Sequence, residues 1–332
     1  MINLALFGAG RIGSIHGENV ARHPLARLVA LHDPFKENAV RLSENVGCIQ
    51  MTPDQIFASE DIDAVLICSA TDTHADLIEQ AVAAGKHVFC EKPIDLSLQR
   101  VRRCLKRVSQ SDCITMVGFN RRFDPNFQIL QRQIEAGEIG AVELVSIISK
   151  DPAPPPVEYI KVSGGLFRDM TIHDFDMARF LLAEEVVSVS AQASCQVDPA
   201  IGEAGDVDTA VITLTTASGK LVQISNSRRA SFGYDQRIEV HGSEGMLMAQ
   251  NVMENTVIAH LKSGVTSARP VHFFLERYEA AYRAELDSFV RCLMGEQVRL
   301  PTMDDGLQAL MLAEAAELSV QQGRNVNLSE LG

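Results

Sequence analysis

The sequence is short of basic residues, with 30 Lys and Arg against 43 Asp and Glu in 332 residues. Its net charge of −13 at pH 7 disfavours nucleic acid and anionic membranes as partners, because neither would attract it electrostatically. No apolar run approaches the roughly 18 residues of a membrane span. The first residues lack the basic region of a signal peptide. We therefore expect neither a nucleic-acid nor a membrane partner.

Paired cysteines are lacking as well. The seven cysteines are odd in number, and none are spaced C-x-x-C. Cys68 and Cys90 fall inside apolar runs, which suits buried free thiols. Disulfide and zinc frameworks are thus disfavoured, no ligand cluster argues for a metal, and a reducing, cytoplasmic location is expected. The 46% hydrophobic and 22% charged residues are typical of a globular chain with about two domains.

A glycine-rich turn follows the first apolar run, Ile2–Phe7. Gly8 permits a tight turn, Gly10 lets the backbone approach a pyrophosphate, and Gly13 allows close packing of helix on strand. From Ile12 onward the apolar residues recur with helical spacing. Strand, turn and helix together predict a dinucleotide-binding site.

The helix that follows this turn begins near Arg11 and Ile12, and its free N–H groups favour phosphates. A second strand ends at Asp33, twenty positions beyond Gly13, where a ribose-binding acid is expected. Its carboxylate would repel a 2′-phosphate. Pro34 follows and no arginine is adjacent, although Lys36 is close. The cofactor is therefore predicted to be NAD in preference to NADP.

Strands and helices continue to alternate up to residue 119, which predicts a doubly wound parallel sheet. Ligands of such sheets bind beyond the carboxyl ends of the strands. Polar residues follow the carboxyl ends of two later apolar strands. We assign these residues to cofactor binding: Ser69, Thr71, His74, Glu91 and Lys92.

The second half of the chain has a different pattern. Short turns separate several runs of alternating polarity, which predicts a mostly antiparallel sheet. The strands are expected at Val186–Cys195, Thr209–Thr215, Leu221–Ser227, Arg237–His241, Met246–Ala249 and Thr256–His260. The predicted fold is α/β, with an N-terminal Rossmann domain (1–119) and a C-terminal α+β domain (120–332) that has a large open sheet. A second subunit is the usual cover for such a sheet.

Two motifs carry catalytic residue types: Glu91-Lys92-Pro93, and Asp169 with His173 four residues later. The i,i+4 spacing places Asp169 and His173 on one face of a helix. Asp176 is three residues further on and could orient the imidazole. An isolated pair of this kind would be a helix-surface contact worth about 0.3–0.5 kcal/mol, so the motif gains meaning only from its combination with the lysine.

With these motifs the chain resembles the glucose–fructose oxidoreductase/inositol dehydrogenase/rhizopine-catabolism family of NAD(P)-dependent sugar and polyol dehydrogenases. E-K-P and D-x-x-x-H are the family's two catalytic motifs. Residues Gly118–Pro125 and His241–Gly245 are further matches. The resemblance covers essentially the whole chain, and within the family it is strongest to the bacterial inositol 2-dehydrogenases.

The resemblance implies a catalytic triad of Lys92, Asp169 and His173. Neutral His173 would be the general base, since the reference pKa of histidine is near 6.5. Lys92 would stabilise the developing negative charge on oxygen, and Asp169 would bind a neighbouring hydroxyl and help to fix His173. Arg121 and Arg122 could contact the substrate or bridge the two domains, and we favour the bridging role. The candidate substrate residues are Asn120, Arg122, Asp151 and Tyr234.

The implied function is NAD-dependent oxidation of a secondary hydroxyl of myo- or scyllo-inositol to the keto-inositol. An aldose 1-dehydrogenase acting on a pyranose remains an alternative, because both substrates are hydroxylated six-membered rings. A redox-neutral enzyme with tightly held NAD and a cofactor-sensing binding protein are two further hypotheses. The family commonly forms tetramers or dimers through the open sheet, so a homo-oligomer, in particular a homotetramer, is expected.

Overall fold

The computed structural model describes all residues, Met1–Gly332. The chain divides into two compact units. The first comprises Met1–Phe123 and Ala280–Leu310, and the second comprises Asp124–Glu279 and Met311–Gly332. None of the helices is both long enough and apolar enough to cross a membrane.

The first unit is built on a six-stranded parallel sheet. Its strands are β1 (Ile2–Phe7), β2 (Ala26–His32), β3 (Ile49–Gln50), β4 (Ala64–Ile67), β5 (His87–Glu91) and β6 (Thr115–Gly118). The intervening helices are α1 (Arg11–Arg22), α2 (Lys36–Val46), α3 (Pro53–Ala58), α4 (Thr71–Ala83) and α5 (Leu98–Val108). The strand order β3-β2-β1-β4-β5-β6 confirms the predicted Rossmann fold.

A seven-stranded sheet forms the centre of the second unit. Its strands are β7 (Val142–Lys150), β8 (Val186–Ser194), β9 (Thr209–Thr216), β10 (Leu221–Ser227), β11 (Asp235–Gly242), β12 (Gly245–Ala249) and β15 (Val326–Asn327). The order is β12-β11-β7-β10-β9-β8-β15. Only β7 and β10 pair in parallel, so the prediction of a mostly antiparallel sheet is confirmed.

The strand expected at Thr256–His260 is not part of this sheet. Instead β13 (Ile258–Leu261) pairs with β14 (Gly264–Ser267) in a separate two-stranded hairpin. Alternating polarity marks a half-exposed strand but does not identify its partner, which explains the difference.

The second unit also contains five helices, and two longer ones close the chain. They are α6 (Pro125–Glu135), α7 (Val157–Ser163), α8 (Ile172–Leu182), α9 (Pro199–Glu203), α10 (Phe274–Arg277), α11 (Glu279–Leu293) and α12 (Met303–Gln322). Single-turn 3₁₀ helices cover Asn120–Phe123 and Leu328–Leu331. Helix α12 covers the stretch Met303–Gln322, whose apolar residues recur with helical spacing.

Helix α11 contributes to the core of the first unit, although it lies far along the sequence. Leu286, Phe289 and Val290 are buried in the same apolar cluster as Leu4 and Leu66 of the central strands. At about 1.5–3 kcal/mol for each fully buried large side chain, this return is a substantial part of the unit's stability. Side chains of α11 therefore reach the interior of the first unit.

One face of the seven-stranded sheet is lined by exposed apolar side chains. In register, Leu144 of β7 lies opposite Leu221 of β10, and His241 of β11 lies between Leu144 and Met246 of β12. Leu144, Leu221 and Met246 are 36%, 43% and 48% exposed. We call this row, with Val211 and Met248, the open face. An apolar patch of this kind marks an interaction surface.

Candidate active site

The glycine-rich turn has the geometry that its sequence predicts. Gly8 has a φ of +90°, and a Cβ there would lie 2.5 Å from the Cys68 carbonyl oxygen. A Cβ on Gly13 would lie 1.8 Å from the Gly8 carbonyl oxygen, whereas a Cβ on Gly10 would meet nothing within 4 Å. Gly8 and Gly13 are thus required by packing, and Gly10 faces open space through which a pyrophosphate can approach.

Helix α1 begins at Arg11 directly after this turn. Gly10 is its N-cap residue, and no side chain caps the helix. The first N–H groups of a helix have no intrahelical partner, and here they follow the open position at Gly10. The turn and the start of α1 together fit a phosphate-bearing cofactor.

Asp33 follows β2 and is held by two backbone N–H groups. Ala9 N–H donates to its Oδ2 at 2.6 Å, and Phe35 N–H donates to its Oδ1 at 2.7 Å. The carboxylate is therefore fixed beside the glycine-rich turn. A cleft of about 250 Å³ adjoins it, lined by His32, Asp33, Met51, Thr52 and Gln55 among others. This arrangement fits the ribose end of a dinucleotide.

Arg41 of α2 is a cation near this turn that the sequence did not reveal. Its Nη2 donates to the Ala9 carbonyl oxygen at 3.2 Å and lies 3.5 Å from Ser14 Oγ. It lies further along α2 than Lys36, the cation that follows Asp33 closely in the sequence. Helical periodicity alone does not show which side of α2 meets the turn.

The loops after β4 and β5 are joined by His74. The imidazole is buried, with Nδ1 2.8 Å from the Pro93 carbonyl oxygen and Nε2 3.0 Å from that of Ser69. Burial, only partly offset by these two carbonyl oxygens, lowers the pKa of His74 below its usual value. Thr71 begins α4. The structure thus shows His74 connecting two predicted cofactor-binding loops, and its contact with cofactor stays a prediction.

Glu91 ends β5, and Lys92 follows it, joined to Pro93 by a cis peptide bond. Glu91 lies opposite Gly118 in β6. A Cβ on Gly118 would come within 3.1 Å of the Glu91 carboxyl carbon, so the absence of a side chain there leaves the space that the Glu91 carboxyl group occupies. Lys92 itself is half-buried.

In the second unit, Asp169 has two polar neighbours. Tyr159 OH donates to its Oδ1 at 3.0 Å, and Arg228 Nη1 lies 3.4 Å from its Oδ2. Arg228 is 1% exposed, and its Nη2 lies 3.8 Å from Asp206 Oδ2. The arginine therefore lies between two carboxylates, and its charge offsets part of the cost of burying them.

Asp206 is held in turn by the backbone before Asp169. Leu166 N–H donates to Asp206 Oδ1 at 3.0 Å, and a Cβ on Gly165 would lie 2.7 Å from that oxygen. Burial raises the pKa of Asp206, and the Leu166 N–H opposes this shift. Neither Tyr159, Asp206 nor Arg228 was identified from the sequence, because they are 10 to 59 positions from Asp169 and belong to no short motif.

The helix that carries Asp169 and His173 is not a regular α-helix. Phe167–Thr171 forms a π-helical turn, and α8 begins at Ile172. The pair therefore lacks regular α-helical spacing, because a π turn has more residues than an α turn. That Asp169 and His173 share one helical face stays a prediction. Asp174 and Asp176 are buried, and Asn226 Nδ2 donates to Asp174 Oδ2 at 2.8 Å.

The other predicted substrate residues lie in both units. Asn120 and Arg122 are buried in the first, where Arg122 Nη2 pairs with Asp305 Oδ1 at 2.9 Å. Asp151 follows β7, and its N–H donates to the Ser227 carbonyl oxygen at 3.0 Å. Tyr234 is buried, with its ring centroid 6.0 Å from that of Tyr278. Their contacts with substrate stay predictions, and the Arg122–Asp305 pair lies within one unit.

Comparison with known proteins decides the family. Residues 2–119 match the family described as an oxidoreductase family with an NAD-binding Rossmann fold, and residues 127–248 match the GFO/IDH/MocA C-terminal domain. The chain belongs to the GFO/IDH/MocA family.

Relatives within this family match over nearly the whole chain. An inositol 2-dehydrogenase from Rhizobium meliloti is 53% identical, covering 99% of both chains. A myo-inositol 2-dehydrogenase from Thermotoga maritima is 45% identical, also covering 99% of both. A Lactobacillus casei scyllo-inositol dehydrogenase, solved with bound NAD(H) and scyllo-inositol, superimposes with a TM-score of 0.92 at 30% identity over 99% of both chains.

Membership of the GFO/IDH/MocA family confirms the predictions of an oxidoreductase and of NAD as cofactor. The glycine-rich turn, the N-terminus of α1 and Asp33 are the residues that would hold NAD, as their geometry indicates. NAD-dependent dehydrogenation is thus the chemistry of this chain.

Replacing Gly10 and Gly13 separately tests this assignment. We expect Gly10→Ala to fold with wild-type stability but to bind NAD more weakly, because its Cβ enters the open space beside the turn. Gly13→Ala should instead lower the free energy of unfolding by about 1–3 kcal/mol through overpacking. Isothermal titration with NAD and thermal unfolding measure the two effects. Wild-type NAD affinity in Gly10→Ala would contradict the assignment.

Arg228→Met tests the charge arrangement around Asp169. The variant leaves two carboxylates without their cation, and breaking a buried pair in this way costs about 3–5 kcal/mol of unfolding free energy. Adding Asp206→Asn should restore part of the loss, because one of the two stranded charges is removed. Arg229→Met, at an exposed neighbour, is the matched control. Urea unfolding that is equal for Arg228→Met and the control would disprove the pairing.

Proposed function

We propose that the protein catalyses the NAD-dependent oxidation of a secondary hydroxyl of an inositol, giving the keto-inositol. The observation that carries this proposal is the 53% identity, over 99% of both chains, to an inositol 2-dehydrogenase. The L. casei relative solved with NAD(H) and scyllo-inositol supports the same substrate class. Inositols and pyranoses share a hydroxylated six-membered ring, so substrate choice rests on these relatives more than on residue types.

Lys92, Asp169 and His173 are proposed to perform the chemistry. When bound, NAD supplies the nicotinamide C4 that accepts the hydride. His173 takes the proton from the reacting hydroxyl, as an imidazole can at neutral pH. The Lys92 ammonium group stabilises the negative charge that develops on that oxygen.

Asp169 is proposed to bind a hydroxyl next to the reacting one. Its Oδ1 and Oδ2 face Tyr159 OH and Arg228 Nη1, which restrict the rotation of the carboxylate. A fixed acceptor of this kind orients a polyol ring without the entropic cost of ordering the side chain during the reaction. Arg228 is thus a positioning residue that acts through Asp169.

Formation of NADH with a panel of substrates tests the proposed function. We expect turnover with myo- or scyllo-inositol, little with aldoses, and lower catalytic efficiency with NADP than with NAD. His173→Ala should lower kcat by about 10²–10⁴-fold, the usual contribution of a general base. His260→Ala, which alters an exposed histidine of the β13–β14 hairpin, is the control and should keep wild-type activity.

Three outcomes of this assay would contradict the proposal or a part of it. Turnover of aldoses alone would keep the mechanism but move the substrate to a pyranose. Tight NAD binding without net NADH formation from any polyol would favour a redox-neutral enzyme or a cofactor sensor. Full activity in His173→Ala would overturn the assignment of the base.

We further propose a homo-oligomer, in particular a tetramer, whose subunits meet through the open face. The exposed Leu144, Leu221 and Met246 lie in one row of the sheet, and a second copy of the chain would bury them. Burial of apolar surface at about 25 cal/mol per Å² is the driving force for such an association.

A double substitution on the open face tests this assembly. Leu144→Glu with Leu221→Glu should give a monomer in light scattering, because two carboxylates would be buried at the interface without partners. Ile129→Glu, at an exposed apolar residue of α6, is the control and should keep the wild-type mass. A wild-type protein that is already monomeric would disprove the proposal.

A further inference from the structure

Three ionisable side chains from distant parts of the sequence meet inside the first unit. They are His16 of α1, Glu91 at the end of β5 and Glu285 of α11. His16 Nε2 lies 2.8 Å from Glu91 Oε1 and 3.9 Å from Glu285 Oε1. The side chains of His16 and Glu285 are 0% exposed, and that of Glu91 is 13% exposed. We call this group the buried cluster.

Glu285 is the unusual member of the buried cluster. Neither of its carboxyl oxygens has a hydrogen-bond partner, and neither does His16 Nδ1. An ionised carboxylate without partners in the protein interior is so costly that the group takes up a proton instead. Burial, reinforced by the negative charge of Glu91, accordingly raises the pKa of Glu285 well above its usual value. Burial, the absence of partners and the charge of Glu91 thus all favour the protonated, neutral form of Glu285.

Aromatic rings and thiols pack around the buried cluster. The His16 ring packs edge-on against Phe89 and Tyr282, with centroids 4.9 Å and 5.8 Å away. The Gly118 backbone lies next to the Glu91 carboxyl group, which occupies the space that a side chain on Gly118 would need. The other titratable groups around the cluster include the thiols of Cys68 and Cys90 and the phenol of Tyr282. The buried imidazole of His74 interacts electrostatically with Glu91, and the Lys92 ammonium group belongs to the next residue. Burial, then Glu91, raises the pKa of both thiols well above the usual value, so they stay neutral.

We propose that Glu285 is a positioning residue for the reaction: by holding one proton in the buried cluster, it lets His16 keep Glu91, and with it the adjoining Lys92, in place. Lys92 shares a peptide bond with Glu91, so a displaced Glu91 displaces the lysine. This inference rests on the proposed function only in assigning Lys92 to the chemistry. The buried proton itself follows from the first unit alone.

The pH dependence of stability tests the buried proton without any substrate. The unfolded chain releases the Glu285 proton above about pH 4.3, whereas the folded chain retains it up to the raised pKa. The stabilising effect is therefore complete below about pH 4.3 and is lost as pH rises through the folded pKa. Across that window one bound proton makes the unfolding constant rise tenfold per pH unit.

Glu285→Gln should remove this one-proton contribution, because the amide is neutral at every pH and keeps the shape of the acid. Asp304→Asn, an acid-to-amide change at an exposed residue of α12 in the same unit, is the matched control and should keep the wild-type slope. Urea unfolding between pH 5 and 9 gives the slopes. Equal slopes in wild type and Glu285→Gln would overturn the proposal.

Activity measured against pH tests the positioning role. At high pH, ionised Glu285 would repel Glu91, so kcat of the wild type should fall, and Glu285→Gln should lose that alkaline decrease. His16→Leu should lower kcat about 10–100-fold, the scale of an ångström's misplacement, with little change in the KM for inositol. His16→Gln should recover part of the rate, because its amide N–H can replace the donor at Nε2.

The outcomes separate this inference from the proposed function. If no inositol is oxidised but the pH slopes of unfolding in wild type and Glu285→Gln differ by one proton, the proposed function is wrong. The assignment of a buried proton to Glu285 is then still supported. If inositol is oxidised and the alkaline decrease is identical in wild type and Glu285→Gln, the positioning role is overturned. Donor atoms of the buried cluster lie within 4.8 Å of one another, as in a metal site, so a slope that changes on dialysis against EDTA would also overturn the proton assignment.

Discussion

The close approach of helix α1 to strand β1 is the contact on which the first unit depends. The Gly8 carbonyl oxygen occupies the space that any side chain on Gly13 would need, so only glycine lets α1 begin so near the end of β1. This contact leaves the first N–H groups of α1 beside the open position at Gly10. It also places His16, one turn further along α1, beside Glu91 at the end of β5. One short helix thereby joins the glycine-rich turn to the motif proposed for catalysis.

In the second unit, the surrounding side chains restrict the position of the Asp169 carboxylate. Asp169 lies in a π turn, and Arg228 lies between it and Asp206. A buried cation between two acids is stable only while both partners are present, so the arrangement restricts all three side chains at once. In each unit, therefore, a residue proposed for catalysis lies next to a buried ionisable group. Lys92 follows Glu91 of the buried cluster, and Asp169 lies next to Arg228.

Much of this structure follows from local sequence patterns. Ile2–Phe7 is apolar and ends in glycines, and Met303–Gln322 has helical periodicity, so strand, turn and helices were predictable. The π turn was not, because its residues are also compatible with an α-helix. The return of Leu286 and Phe289 to the first core, and the contacts of Arg228 and Glu285, join positions far apart in the chain. Spacing rules describe only residues that are near one another in the sequence. These contacts could therefore be identified only from the three-dimensional structure.

Transfer of deuterium tests the central claim, that this chain oxidises an inositol carbon with net reduction of NAD. Inositol deuterated at its ring carbons would be incubated with NAD, and the nucleotide product analysed by mass spectrometry. The account predicts NADH carrying one deuterium at nicotinamide C4, formed in equal amount with the keto-inositol. Unlabelled NADH, or label that returns to the sugar with no NADH accumulating, would contradict it.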